Sequence, residues 1–249
     1  MSKPKVAIFD FACCEGCQLQ IVNMEEEILD LLSVADVVEW REAMSEQSEV
    51  YDVAIIEGSI TRPKDEERIK KIRSQAKVLV ALGACATLGG VNKLKNAMNQ
   101  DDVKKAVYGT NANDPQFETY GAKAVDECVK VDFHIQGCPI DRREFGYVIR
   151  CLLMGRTPFI PNYPVCVECK SKGNACLYWK GEICLGPLTR AGCDARCPTS
   201  GFWCFGCRGF LEGANFEAAE ESMKLYGKTA ADLRSRINLF QSLKEAPRA

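Results

Sequence analysis

The chain has 249 residues, a formal net charge of −2 and a pI of about 5.7. The length fits one large domain or one domain with an appendage, and the charge balance argues against a nucleic-acid surface. The chain lacks the apolar core of a secretory signal, and no apolar run approaches the roughly 18–20 residues of a membrane span, so we expect a cytoplasmic protein without a membrane span.

Strand and helix patterns alternate over the first region of the chain. Short apolar runs predict strands at 5–10, 51–58, 77–85 and 131–139, the first two of a buried type, and the segment 36–40 is strand-like. Periodic apolar residues predict helices at 19–35, 64–76 and 145–155, and Ile69 and Ile72 mark the inward face of the second. Alternating strands and helices predict an α/β fold with a parallel sheet. Neither GxGxxG nor a P-loop motif occurs, so the sequence gives no sign of a nucleotide.

The pattern changes at the segment GRTPFIPNYP, residues 155–164, in which three prolines indicate a linker or an extended wrap. Beyond it the apolar periodicity fades and cysteines dominate. We expect that such a segment can hardly be held by its own apolar core and that metal binding stabilises it. The tail, residues 216–243, predicts two helical segments, and Thr229 is a candidate N-cap for the second.

The cysteine content is unusual, because the chain has fifteen Cys and a single His, His134. Without an export signal, many cysteines indicate metal binding rather than disulfides. One His excludes a zinc finger with two Cys and two His, and it also excludes a Rieske centre. A metal must therefore be held almost wholly by thiolates, which favours an iron–sulfur cluster or zinc.

Four cysteines of the first region follow predicted strands. They are Cys14 and Cys17 after the first strand, Cys85 after the run VLVALGA, and Cys138 after VDFHIQG. Because ligands collect beyond the carboxyl ends of parallel strands, these thiols should converge. Four thiolates are the ligand set of a [4Fe–4S] cluster, and the neighbouring glycines Gly16, Gly83 and Gly137 would allow close backbone approach.

Other interpretations of these residues stay open. Cys14 and Cys17 alone match a thioredoxin-like redox pair, which would leave Cys85 and Cys138 as a coincidence. Cys13 could replace Cys14 as a ligand. Cys128 and Cys151 have the character of structural cysteines. Glu15 and Glu57 could carry protons or tune the site, but we rather expect Glu15 in the first turn of a helix and Glu57 hydrogen-bonded to a nearby amide.

The second region holds eight further cysteines in two sets, each with a Cys-x-x-Cys pair. The first set is Cys166, Cys169, Cys176 and Cys184, and the second is Cys193, Cys197, Cys204 and Cys207. Two all-cysteine zinc sites are the alternative to iron–sulfur clusters. The pattern Cys193-x3-Cys197-Pro198 is typical of the end of a bacterial ferredoxin motif. In two-cluster ferredoxins that last Cys binds the other cluster, so the division into two sets stays open.

Six short motifs carry a resemblance to a known family. In chain order they are CEGCQLQ, EGSI, LGACA, GCP, PVCVECK and CLGPLTRAGCDARCP…CFGCRG. Together, over about residues 4–210, they resemble the small electron-transfer subunit of [NiFe] hydrogenases, and most of all the delta subunit of the cytoplasmic sulfhydrogenase or NAD(P)-linked group. The family is related to the cluster-bearing subunit of respiratory complex I, which usually lacks the second cysteine-rich region.

The resemblance implies a flavodoxin-like domain at 1–155 and a mostly irregular, cysteine-rich domain with C-terminal helices at 156–249. It further implies three [4Fe–4S] clusters. The proximal cluster would be held by Cys14, Cys17, Cys85 and Cys138, the distal by Cys166, Cys169, Cys176 and Cys184, and the medial by Cys193, Cys197, Cys204 and Cys207. Many relatives have His at the position of Cys166 and Pro at that of Cys197. A Cys at position 197 predicts a four-iron cluster with a lowered reduction potential.

The implied function is electron relay between the Ni–Fe centre of a large subunit and a partner that carries flavin, NAD(P) or further iron–sulfur centres. Because no nucleophile–base pair is evident in the sequence, catalysis is expected in another subunit. The acceptor stays open, and a disulfide reductase or ferredoxin would serve as well. The rival hypotheses are a zinc-thiolate protein and a dithiol oxidoreductase that uses Cys14 and Cys17.

Overall fold

The computed structural model describes residues 3–240. The chain separates into two compact units, of which the first ends at Pro158 and the second begins at Phe159. Within the described residues, no helix has both the length and the apolar character needed to cross a bilayer. The last part of the predicted helical tail, 241–243, lies outside the described residues.

The first unit is built on a five-stranded parallel sheet with the order β2-β1-β3-β4-β5. This order is the flavodoxin-like one, and it confirms the predicted parallel α/β fold. Every strand coincides with a predicted strand. The strands are β1 (Lys5–Asp10), β2 (Asp36–Trp40), β3 (Val53–Glu57), β4 (Val78–Leu82) and β5 (Phe133–Ile135).

Both faces of the sheet are covered, which explains why its central strands are continuous apolar runs. Successive side chains of a strand point to opposite faces. On one face, Ile8 and Ile55 of the strands pack with apolar residues of the flanking helices, such as Ile21 and Leu31. On the other face, one buried cluster joins residues of β1, β3 and β4, such as Ala7, Ile56 and Leu79, with Ile69 and Ile72, the predicted inward face of a helix.

Six α-helices belong to the described part of the first unit, and short 3₁₀ turns such as Gly90–Ala97 lie between them. The predicted helix at 19–35 is two helices, because Met24 is buried between them and Glu25 has a positive φ of 54° that ends regular helix geometry. The helices are α1 (Gly16–Val22), α2 (Glu26–Val34), α3 (Pro63–Gln75), α4 (Gly83–Leu88), α5 (Gln100–Tyr108) and α6 (Arg142–Leu153).

The second unit has four helices among its described residues, and it has an apolar core of its own. The helices are α7 (Val165–Ser171), α8 (Arg196–Thr199), α9 (Phe216–Lys224) and α10 (Ala230–Ile237). Met223 and Leu233 of the last two helices are buried against Leu185 and Leu188. The tail helices thus supply apolar contacts to the cysteine-rich segment, and its stabilisation by metal stays a prediction. Thr229 caps α10 as predicted.

Candidate iron–sulfur sites

The first group of thiols forms at one edge of the sheet. Cys14 lies in the loop after β1, Cys17 in the first turn of α1, and Cys85 in the first turn of α4 directly after β4, while Cys138 follows β5. Burial, followed by the nearby thiols of Cys138 and Cys14, raises the pKa of Cys85 to about 12. The structure thus brings together the residues that the strand ends predict.

Glycines make room for the sulfur atoms of this group. A Cβ on Gly83 would overlap Sγ of Cys17, and one on Gly90 would lie 2.9 Å from Sγ of Cys85. Gly83 also has a positive φ of 79°, so both its backbone and its surroundings exclude a side chain. Such close packing of backbone around thiols suits an iron–sulfur cluster, whose sulfurs accept hydrogen bonds from nearby amides.

Glu57 positions the start of α1. Its carboxylate is only 2% exposed and accepts hydrogen bonds from the backbone amides of Cys17 (3.0 Å) and Gln18 (3.1 Å). The Gln18 side chain in turn accepts a bond of 2.8 Å from Nε1 of Trp40. The expected amide hydrogen bond of Glu57 is therefore confirmed, and its function is to satisfy helix amides that would otherwise be unpaired.

Glu15 differs from its expected place, because it precedes α1 at the N-cap, with a φ of 62°, instead of lying in the first turn. Burial, followed by the charge of Asp10 and by a hydrogen bond and the charge of Glu42, raises the pKa of the Glu15 carboxyl to about 7. The carboxylate accepts a hydrogen bond of 3.3 Å from Nε2 of Gln18. This hydrogen bond links the loop residue Glu15, between Cys14 and Cys17, to the first turn of α1.

Cys13 has contacts of its own. Its Sγ lies 3.5 Å from the carbonyl oxygen of Phe11 and 3.7 Å from Oε1 of Glu15. Both oxygens are hydrogen-bond acceptors, and burial followed by the charge of Glu57 raises the pKa of this thiol. The Cys13 thiol thus has two hydrogen-bond acceptors within reach, and the assignment of Cys14 as the partner of Cys17 stays a prediction.

The second group gathers around α7 in the second unit. Burial, followed by the thiols of Cys184, Cys169 and Cys176, raises the pKa of Cys166 to about 12, so all four thiols of the predicted set are neighbours. A Cβ on Gly186 would lie 3.2 Å from Sγ of Cys166 and 3.5 Å from Sγ of Cys184. The amide of Cys204 donates to Sγ of Cys184 over 3.2 Å.

The third group is brought together less completely. Cys204 is almost fully buried, and Cys184 and Cys207 are the thiols that act on its pKa. Cys193 and Cys169 pack against one small buried cluster of Val165, Ala195 and Cys204. Cys197 lies in α8, where burial raises its pKa and the charge of Arg196 opposes this. The second and third groups therefore meet at Cys204.

Two charged residues that the sequence interpretation missed contact the loop around Cys193. Glu168 lies between Cys166 and Cys169, and its carboxylate accepts hydrogen bonds from the amides of Gly192 and Ala195. Arg208 follows Cys207, is only 1% exposed, and donates from Nε to the carbonyl oxygen of Ala191 over 2.8 Å. Both residues stand directly beside a predicted ligand, and the sequence could have marked them for this reason. The backbone groups that they contact, however, are far away in the chain.

The donor chemistry of the three groups is uniform. All fifteen cysteines are free thiols, and every predicted ligand is one of them. Across residues 3–240, no group of three or more His, Cys, Asp or Glu side chains is placed to hold a single metal ion. His134 lies in β5, with Nε2 at 3.6 Å from Oδ2 of Asp126. An all-thiol set with close glycines and amide donors fits iron–sulfur clusters.

Comparison with known proteins gives the same assignment as the motifs. Residues 14–152 match the family model described as NADH ubiquinone oxidoreductase, 20 Kd subunit. Sulfhydrogenase 2 subunit delta of Pyrococcus furiosus is 37% identical, with 82% of this chain and 86% of the relative covered. A vhu subunit of the F420-non-reducing hydrogenase of Methanocaldococcus jannaschii is 31% identical, with 95% and 93% covered.

Among solved structures, a chain of an NAD+-reducing [NiFe]-hydrogenase in the H2-reduced state superposes with a TM-score of 0.59 at 25% identity. The match covers 64% of this chain and 96% of that one. The similarity to hydrogenase small subunits that the six motifs indicate is therefore confirmed.

Proposed function

This chain belongs to the family of the 20 kDa subunit of NADH ubiquinone oxidoreductase, and from that premise we propose that it is the electron-relay small subunit of a [NiFe] hydrogenase. The relatives named as hydrogenase subunits match over most of both chains. The chain is thus one part of an oxidoreductase complex. The reaction of H2 belongs to the large subunit.

The observation that carries this proposal is the first thiol group. Cys14, Cys17, Cys85 and Cys138 come from three separate loops, and the sheet brings them to one edge. A redox dithiol would need only the first two. Four thiols from three strand ends, with glycine backbone against their sulfurs, are a ligand set for a cluster.

The chain is an iron–sulfur protein, and we propose three [4Fe–4S] clusters for it. The proximal ligands would be Cys14, Cys17, Cys85 and Cys138, the distal Cys166, Cys169, Cys176 and Cys184, and the medial Cys193, Cys197, Cys204 and Cys207. The meeting of the last two groups at Cys204 supports neighbouring clusters in the second unit. Residues up to Pro158 would form the proximal-cluster domain, and those beyond it the domain with the other two.

The bound clusters would supply one-electron transfer, and the polypeptide would control where and how easily it occurs. The glycines hold backbone against the thiolates, and amides such as that of Cys204 donate to sulfur. Glu57 anchors the helix that presents Cys17. Burial of Cys17 and Cys204 keeps water from their sulfur atoms, which strengthens the effect of every nearby charge.

The partners that follow from this function are a [NiFe] large subunit and electron-accepting subunits with flavin, NAD(P) or iron–sulfur centres. The names of the relatives support more than one acceptor, since one is a sulfhydrogenase subunit and another comes from an F420-non-reducing hydrogenase. We place the protein in the cytoplasm because free thiols in this number suit a reducing compartment.

Iron and sulfide analysis of the anaerobically purified complex tests the proposal. Three clusters require about twelve iron atoms per chain, and fewer than about eight would contradict them. Cys85→Ser should remove about four irons, whereas the matched control Cys128→Ser, outside all three groups, should remove none. A colourless protein with tightly bound zinc would overturn the proposal and support the zinc-thiolate alternative.

A further inference from the structure

The loop that carries Cys193 is held by two side chains of opposite charge. Glu168 reaches it from α7 through both carboxylate oxygens, which accept from the amides of Gly192 (2.7 Å) and Ala195 (3.0 Å). These two amides flank Cys193 in the chain. The carboxylate therefore lies against the backbone that positions this thiol, and it is at the same time the side chain next to Cys169.

Arg208 reaches the same loop from the other end of the third thiol group. It is among the largest fully buried side chains, with 1% of its surface exposed. Its Nε donates to the carbonyl oxygen of Ala191, two residues before Cys193, over 2.8 Å. A guanidinium stays protonated under all working conditions, so this is a permanent positive charge that bulk water does not screen.

We propose that Arg208 raises, and Glu168 lowers, the reduction potential of the cluster held by the third thiol group. This inference rests on the proposed function, since it needs that cluster to be present. Reduction adds one electron to the cluster, and no bond or proton has to change. A buried positive charge stabilises the added electron and a nearby negative charge opposes it, because charges interact strongly where the effective dielectric is low.

The buried charge of Arg208 is also related to the fourth cysteine of the third group, Cys197. Cys197 would add a negative charge to the third group and lower its potential. Arg208 adds a buried positive charge to the same group, and so it offsets that decrease. Without Arg208, the third cluster would become harder to reduce.

The test is a redox titration of the anaerobic complex, followed by electron paramagnetic resonance and visible absorption. The signal of the third group is identified as the one that Cys197→Ser alters. Iron and sulfide are counted first in each variant. Arg208→Gln should increase the ratio of oxidised to reduced cluster at a given potential by at least about tenfold, a shift of about 59 mV for one electron, and Glu168→Gln should decrease it.

Asp194→Asn is the matched control. Asp194 adjoins Cys193, and Asp194→Asn removes one negative charge, as Glu168→Gln does. The Asp194 side chain, however, is 56% exposed and pairs with Lys172. Solvent screens such a charge, so its ratio should change less than about threefold. Arg208→Lys, which keeps the positive charge, should stay close to the wild-type protein.

Shifts of the same sign in Arg208→Gln and Glu168→Gln, or shifts no larger than that of Asp194→Asn, would overturn the inference. If Arg208→Gln loses iron, Glu168→Gln alone decides by the sign and size of its shift. Absence of clusters from the wild-type complex is a different result, because it would contradict the proposed function itself.

Discussion

Glu57 is the single side chain that satisfies two buried amides at the start of α1, those of Cys17 and Gln18. In Glu57→Gln one oxygen becomes an NH2 group, which cannot accept, so one amide is left unpaired at a cost of about 1–3 kcal/mol. Hydrogen exchange followed by mass spectrometry should show these two amides exchanging about tenfold faster or more. Glu49→Gln is the control, because Glu49 is 76% exposed, and its change should leave the rate unaltered.

Gly83 is required both for its backbone conformation and for its lack of a side chain. Gly83→Ala should cost the protein about four irons per chain, because the new Cβ would occupy the place of the Cys17 sulfur. Gly109→Ala separates the two causes, since Gly109 also has a positive φ (57°) but has nothing within 4 Å of an added Cβ. Iron analysis should show a full complement in Gly109→Ala, and equal losses in both variants would refute the steric explanation.

At the residue scale, the sequence predicts the thiols better than their surroundings. Cys14, Cys17, Cys85 and Cys138 are predictable because each follows an apolar run, and parallel strand ends meet at one edge. Glu168 is not predictable, because the amides that it accepts from belong to residues 24 and 27 positions later in the chain. No local spacing encodes a contact of that kind.

Among the elements, α10 depends on its capping box. Thr229 accepts from the amide of Asp232 (3.2 Å), and the Asp232 carboxylate accepts from the amide of Thr229 (2.8 Å). Thr229→Ala should destabilise the helix by about 1 kcal/mol, and hydrogen exchange in 230–237 should become faster. Thr229→Ser keeps the hydroxyl and should behave as the wild type does. An unchanged rate in Thr229→Ala would show that packing of Leu233 and Ile237 alone holds α10.

The sequence predicts best those elements whose apolar residues follow one clear pattern. The central strands β3 and β4 are almost wholly apolar because both faces of the sheet are covered, and α3 shows a clear inward face at Ile69 and Ile72. The region after β4 is different, since α4 ends at Leu88, and Gly89 and Gly90, which both have positive φ, lead into a 3₁₀ segment. Short helices separated by such turns have no period long enough to be detected.

At the scale of the whole molecule, the two units are stabilised in different ways. The first has a large buried cluster across its sheet. In the second, the tail helices bury Leu185 and Leu188, but Val165, Ala195 and Cys204 form only a small cluster whose other neighbours are cysteines. The sequence indicates this difference by its composition, whereas the contribution of the tail helices depends on long-range packing that composition does not show.

This difference predicts how the chain responds to loss of iron. Removal of the clusters by an iron chelator under reducing conditions should open the cysteine-rich segment 165–207, because metal binding supplies much of the folding free energy of such a segment. Limited proteolysis should then cut between 159 and 215, while the sheet of the first unit resists and keeps its circular dichroism. Reconstitution with iron and sulfide should restore resistance. If the first unit is cut as fast as the second, or if neither is cut, the packing of α9 and α10 on Leu185 and Leu188 would be sufficient without metal, and the clusters would serve electron transfer alone.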